Sequence, residues 1–258
     1  MEAAAKFSHY LSDTKVMIGR CMRHAFRSVD TIITVIAMPI MIMLMFVYVF
    51  GGAIDIGSAS YINYMLPGIF LMGICSGVSY AAVRLNSDVT KGIFERFHSM
   101  PIAKSSILWG HVLTSAVSCV ISMVAILLVA LLMGFQASAG IAGWLLATGI
   151  LLLFTLALTW IAVISGLLAK SVEGAGAFAY PLMFLPFVSS AFVPTASMPR
   201  VIRIFAEHQP VTSIVETVRS LLMNEPVGKN AWLAVTWCLG ALIVAYMIAM
   251  RVYKRKLA

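Results

Sequence analysis

The chain has 258 residues, of which 61% are hydrophobic and only 11% charged, with a mean hydropathy of +0.98 and a formal net charge of +8. Soluble domains carry roughly 25% charged residues, so a water-soluble fold is excluded: this chain could not cover its own surface. The positive balance does not point to nucleic acid either, because the basic residues flank apolar blocks and form no basic domain of their own.

Met1 to Lys6 match a designed helical linker unit and are set apart from the functional reading. Residues 7–29 then predict an amphipathic interfacial helix. At about 100° per residue Leu11, Ile18, Met22, Ala25 and Val29 share one sector, and Arg20, Arg23 and Arg27 lie opposite. That basic face suits anionic headgroups or an acidic partner. No cleavable signal is expected, because the first strongly apolar block begins near Thr31 and is long enough to stay in a bilayer.

Residues 30–256 read as one transmembrane domain. Six apolar blocks, at about 31–50, 64–85, 107–133, 144–169, 174–193 and 231–250, each have the length needed to cross ~30 Å of hydrocarbon as a helix. Helices are required because lipid offers no hydrogen bonds to the backbone, and a barrel would need a polar and apolar alternation that these blocks lack. The expected fold is all-α with six spans. Cys21, Cys75, Cys119 and Cys238 are too scattered for a disulfide framework or a CxxC metal site.

Of the 18 Lys and Arg, 14 fall before the first block, at the end of the second or between it and the third, between the fourth and fifth, or after the sixth. The opposite loops hold Arg200, Arg203, Arg219 and Lys229. The positive-inside rule makes both termini cytoplasmic.

Between the fifth and sixth blocks, residues 194–230 are too long for a turn and too polar to span. Two short helices are expected there, about 200–208 and 212–223, separated by Pro210 and preceded by Pro199. Arg203 with Glu207 and Glu216 with Arg219 have the spacing of helical ion pairs. The apolar residues between those charges suggest an external re-entrant or interfacial hairpin held against protein.

The loop from Asn86 to Ser106 is the most informative stretch. Thr90 can cap a short helix that Pro101 ends, and Ile93, Phe94 and Phe97 form an apolar ridge beside Lys91, Glu95, Arg96 and His98. Exposed phenylalanines on a cytoplasmic helix ask for a partner. Here the chain resembles the permease subunits of ABC-2 type ATP-driven exporters, in particular the daunorubicin-resistance-like drug exporters. The run from Lys91 through Gly92, Ile93, Phe94, Glu95, Arg96, Phe97, His98 and Met100 to Pro101 is similar to the family's coupling helix. The run Ser189 to Pro199, with Gln209 to Thr212 and Glu216 to Arg219, is similar to its fifth span and external helices. Ile93 and Gln209 depart from the residues usual there. The resemblance implies a bacterial plasma-membrane exporter built from two permeases, identical or paralogous, embedded in lipid. It further implies docking of each permease on a separate cytoplasmic ATPase that would bind ATP and Mg.

The sequence agrees with a separate ATPase, since no G-x-x-x-x-G-K-[ST] occurs and no cofactor is expected on this chain. Two other classes remain to be set against it. Gly77-Val78-Ser79-Tyr80 matches a short string of intramembrane serine proteases, but the base would have to be a membrane-embedded His and none of the five His falls at mid-span, so Gly73, Ser76, Gly77 and Ser79 read as small residues that permit close helix packing. An ion-coupled transporter would normally carry ionisable residues in mid-span, and the centres of the six blocks have none. Candidate positions facing a hydrophobic or amphipathic substrate are Met38, Met41, Met45 and Phe46 in the first block, Phe70 in the second, and Phe184, Phe187 and Phe192 in the fifth. The same residue types serve as ordinary packing side chains, and the resemblance is what assigns them to a pathway.

Overall fold

The computed structural model describes residues 15–23, 29–52, 60–93 and 104–257. Most of these residues are helical, with no strand among them. We number the helices α1 (15–23), α2 (29–50), α3 (Tyr61–Thr90), α4 (Lys104–Leu132), α5 (Ile141–Leu168), α6 (Val172–Ala177), α7 (Ala179–Phe184), α8 (Arg200–His208), α9 (Pro210–Met223) and α10 (Asn230–Leu257). Five of them, α2, α3, α4, α5 and α10, are long and apolar enough to cross a membrane.

Helix α3 is the axis of the bundle: 83% of its apolar window is buried inside the chain, against 17% for α2 and 22% for α10. It packs on α2, α4, α5, α6, α7 and α9, while α10 closes the far side against α5 and α9. Without a hydrophobic drive between helices in lipid, such packing depends on close backbone approach at small residues. At Gly166 of α5 an added Cβ would lie 2.8 Å from the Ala82 carbonyl oxygen, and at Gly68 it would lie 2.6 Å from the Ala191 Cβ. Side-chain hydroxyls and amides meet the polar backbone atoms that helix ends and irregular turns leave over. Buried Asn86 donates from Nδ2 to the carbonyls of Gly166 (3.0 Å) and Ala169 (2.8 Å) and so closes the end of α5. In α2 the helix widens to π-turns at Ile33–Ala37 and Phe46–Phe50, and Ser122 Oγ donates to the Val35 carbonyl inside the first of these at 2.6 Å.

The fifth apolar block differs from the expected single helix. It is broken into α6, α7 and a 3-10 turn at Leu185–Val188, and the apolar run covers only Val172–Val188. Gly174, Gly176, Pro181 and Pro186 account for this, since glycine weakens and proline interrupts the hydrogen-bond ladder. Three contacts lay the run antiparallel along α3. Ser79 Oγ donates to the Gly176 carbonyl (3.1 Å), Cys75 Sγ approaches the Leu182 carbonyl (3.8 Å), and Tyr61 Oη donates to the Phe192 carbonyl (3.1 Å).

The remaining expectations divide. The two short helices of the expected hairpin are α8 and α9, with Pro199 preceding the first and Pro210 opening the second at its first position, where the missing N–H costs nothing. Thr90 does not cap a separate helix: α3 runs through it, and its hydroxyl donates back to the Asn86 carbonyl at 3.0 Å. In α1 Met17 and Cys21 are buried against the bundle, Ile18 and Met22 of the expected apolar sector are half-buried, and Arg20 reaches inward to a carboxylate on α3.

Close approach at Gly166 gives a direct test. Gly166→Ala should lower stability by about 1–3 kcal/mol, since a carbonyl oxygen cannot yield as a flexible side chain can. Gly149→Ala, in the same helix with nothing within 4 Å of its added Cβ, should be neutral or stabilising by up to about 1 kcal/mol. Thermal unfolding of the two variants in detergent measures the difference. Equal melting temperatures would mean that α3 and α5 are not in close contact there.

Candidate functional site

The first assembly of interest is built from aromatic rings. Phe46, in the second π-turn of α2, stacks on Phe192 with ring centroids 4.8 Å apart and planes at 25°. Phe192 stacks in turn on Phe187 at 5.0 Å and 24°, and Phe184 follows at 6.4 Å from Phe187. Phe50 adds a tilted ring 5.4 Å from Phe46. Such pairs contribute about 0.5–1.5 kcal/mol each beyond the area they bury. The ladder leads from inside to outside: Phe192 is 2% exposed, Phe187 39% and Phe184 67%. The irregular turns on both sides place these rings, because the π-turn of α2 faces the 3-10 turn at Leu185–Val188.

Of the eight candidate pathway residues, Phe46, Phe184, Phe187 and Phe192 are therefore brought together. Phe70 is not with them. It is buried on another side of α3, beside a crevice of about 130 Å³ lined by Val120, Met123, Leu127 and Trp144. Met38, Met41 and Met45 lie on the outward side of α2, each more than 40% exposed, whereas Thr31, Val35, Pro39 and Met43 are its buried residues.

The hairpin is clasped to the ladder's surroundings by Arg219. Its Nε donates to the Tyr64 carbonyl at 3.0 Å and its Nη2 to the Ser190 carbonyl at 2.6 Å, while the guanidinium lies 3.7 Å from the centroid of the Tyr64 ring. Glu216 is 3.8 Å away, the expected i,i+3 pair, and its other oxygen accepts from Asn230 Nδ2 at 3.2 Å. A planar fork of five donors suits this task better than a point charge. Arg203 behaves differently from expectation. It makes no ion pair with Glu207 and instead donates to the carbonyls of Thr195 (3.0 Å), Ala196 and Met198 (3.3 Å), the turn that precedes its own helix. Gln209, between the helices, donates to the carbonyls of Leu185 (3.3 Å) and Val188 and so ties the hairpin to the broken helix that carries Phe187.

At the other end of the bundle, Arg20 of α1 grips Asp88 of α3 with both Nη atoms at 3.0 Å, and His111 Nε2 of α4 stands 3.3 Å from the same carboxylate. This three-helix junction was not read from the sequence. Asp88 stood in the loop segment without a role, although a carboxylate one turn from a helix end beside a basic helix was the available signal. Burial beside the junction pushes the Cys21 thiol up to about 11, so it is not a reactive thiolate. Of the expected coupling helix, Lys91 is the exposed residue that ends α3, Gly92 turns with φ +68° and Ile93 follows, half-buried. Phe94, Glu95, Arg96, Phe97, His98, Met100 and Pro101 lie outside the described residues. Ser79 spends its hydroxyl on the Gly176 carbonyl, the packing role expected of a small residue.

Comparison with known proteins bears on all of this. The chain is 28% identical over 229 residues to the daunorubicin resistance ABC transporter permease protein DrrB1 of Streptomyces coeruleorubidus, covering 87% of this chain and 80% of the relative. It is 23% identical over 237 residues to the "Probable doxorubicin resistance ABC transporter permease protein DrrC" of Mycobacterium tuberculosis, covering 91% and 86%. The description "ABC-2 type transporter" matches residues 12–223. A match of that extent, on a bundle of apolar spans with the hairpin and broken helix described above, establishes that the chain belongs to the ABC-2 type transporter family.

Proposed function

We propose that this chain is the permease subunit of an ATP-driven exporter that moves a hydrophobic or amphipathic compound outward, with hydrolysis on a separate cytoplasmic ATPase. The observation that carries the reading is the phenylalanine ladder, graded from buried Phe192 to exposed Phe184, in a chain whose relatives are named for resistance to daunorubicin and doxorubicin. Aromatic faces accept varied apolar ligands because they offer contact area without requiring a fixed pattern of hydrogen bonds. The apolar outward side of α2, with Met38, Met41 and Met45, suits a second permease copy or paralogue, and the ladder's exposed end would then lie at the seam. The broken run Val172–Val188 would count as a sixth crossing, placing both termini on the cytoplasmic side with the 14 basic residues. Lys91 to Pro101 would dock on the ATPase. Closure of two ATPase subunits would then bias the pair of permeases between arrangements, since a ligand shifts an equilibrium only by binding its states differently.

Three outcomes follow. With the four native cysteines replaced, a single cysteine at Ala139 should react with an impermeant maleimide added to intact cells and one at Ser99 should not; labelling at Ser99 would reverse the orientation. Removing the apolar anchors with Phe94→Ala and Phe97→Ala should each cost about 1.5–3 kcal/mol of docking energy, read as loss of co-purifying ATPase from a normally inserted permease. If complex and transport both survive, the loop is only a connector. In reconstituted vesicles, Phe187→Ala should raise the KM for an apolar substrate by about tenfold, the equivalent of ~1.4 kcal/mol of lost aromatic contact. An unchanged KM would remove the ladder from the pathway.

A further inference from the structure

A second cavity, of about 830 Å³, opens between α1 and the basic ends of α3 and α4, away from the phenylalanine ladder. Among the described residues its lining brings four cationic side chains, Arg20, Arg23, Arg84 and Lys91, against one carboxylate, Asp88. That carboxylate is already occupied, because Arg20 holds it with two hydrogen bonds and His111 stands at ion-pair distance. Arg84 is left over: its Nη1 is fully enclosed and has no hydrogen-bond partner among the described residues. An enclosed guanidinium nitrogen without an acceptor is costly, and the group that relieves the cost is an anion. The walls also supply apolar surface, from Val83 and Tyr80 on α3 and Val172 at the start of α6. The cavity therefore has a cationic mouth and an apolar flank, at the level where the spans end.

We propose that this cavity is a binding site for the phosphate headgroup of an anionic phospholipid, with Arg84 as the residue that recognises it. Basic pockets between transmembrane helices at the cytoplasmic face take such headgroups, and the volume is in the range that encloses a drug-sized ligand. Arg23 and Lys91 supply further cationic charge around the phosphate, and the acyl chains leave along the apolar flank. The site differs from general attraction of a basic surface to anionic lipid, because it places one specific, enclosed donor against one headgroup.

Native mass spectrometry of the full chain in detergent, titrated with phosphatidylglycerol or phosphatidylcholine, tests it without reference to transport. Phosphatidylglycerol should be retained in preference to phosphatidylcholine. Arg84→Gln should weaken that retention by about tenfold or more, the size of a lost charge-assisted hydrogen bond, Arg84→Lys should weaken it less, and Lys229→Gln at the opposite end should leave it unchanged. If Arg84→Gln melts before it can be measured, Arg23→Gln, whose side chain is exposed, carries the same comparison. Equal retention of both lipids, or no loss on neutralising Arg84 or Arg23, overturns the proposal. Full displacement of phosphatidylglycerol by millimolar inorganic phosphate would overturn the lipid as the source of the anion. Loss of ATPase association in Arg84→Gln with lipid retention intact would assign the charge to an acidic protein surface and overturn it equally.

Discussion

Every element of this bundle depends on how closely other helices can approach α3. In lipid, apolar side chains gain nothing by leaving hydrocarbon for protein, so helices are held by contact distance and by the few hydrogen bonds between them. Gly68 on α3 and Gly166 on α5 bring backbones to distances that a Cβ would forbid. Once α5 is that near, Asn86 can close its last turn, and α6 and α7 fit along the remaining side of α3 through Ser79 and Cys75. The irregular turns that place the phenylalanines are tolerable only because α3 lies behind them and its neighbours satisfy their carbonyls.

The two ends of the bundle are organised by different chemistry. At one end, Arg219, Arg203 and Gln209 donate to main-chain carbonyls and hold the hairpin against the rim of the aromatic ladder. At the other, charge meets charge at Asp88, where three helices converge beside the start of the segment proposed for ATPase coupling. A push delivered at Lys91 would act on the last turn of α3, the same helix that packs under the ladder, so the two ends share one helix.

Much of this was legible in the sequence. Block length gave five of the six expected spans, and Pro199 and Pro210 gave the ends of the two short helices, because proline acts on its own backbone and needs no tertiary context. Phe46, Phe184, Phe187 and Phe192 were singled out one by one, but their stacking depends on a π-turn and a 3-10 turn that no periodicity announces. Phe70 carries the same side chain and went elsewhere, since residue type does not say which side of α3 a ring occupies. That α1 meets the bundle through Arg20 and Asp88 was not legible, because helical sectors count apolar residues and carry no sign of a tertiary ion pair.

Arg219 does its holding through the carbonyl oxygens of Tyr64 and Ser190, which every residue possesses. Positions 64 and 190 can therefore drift in side chain without releasing the hairpin, apart from the ring face that Tyr64 adds beneath the guanidinium. The dependence runs one way. A change at 219 has no complementary change at 190 that could restore the bond, because a main-chain acceptor cannot mutate to meet a new donor. Among variants of this chain, the clasp would be marked by an arginine that tolerates no replacement, Lys included, standing opposite a position that accepts many.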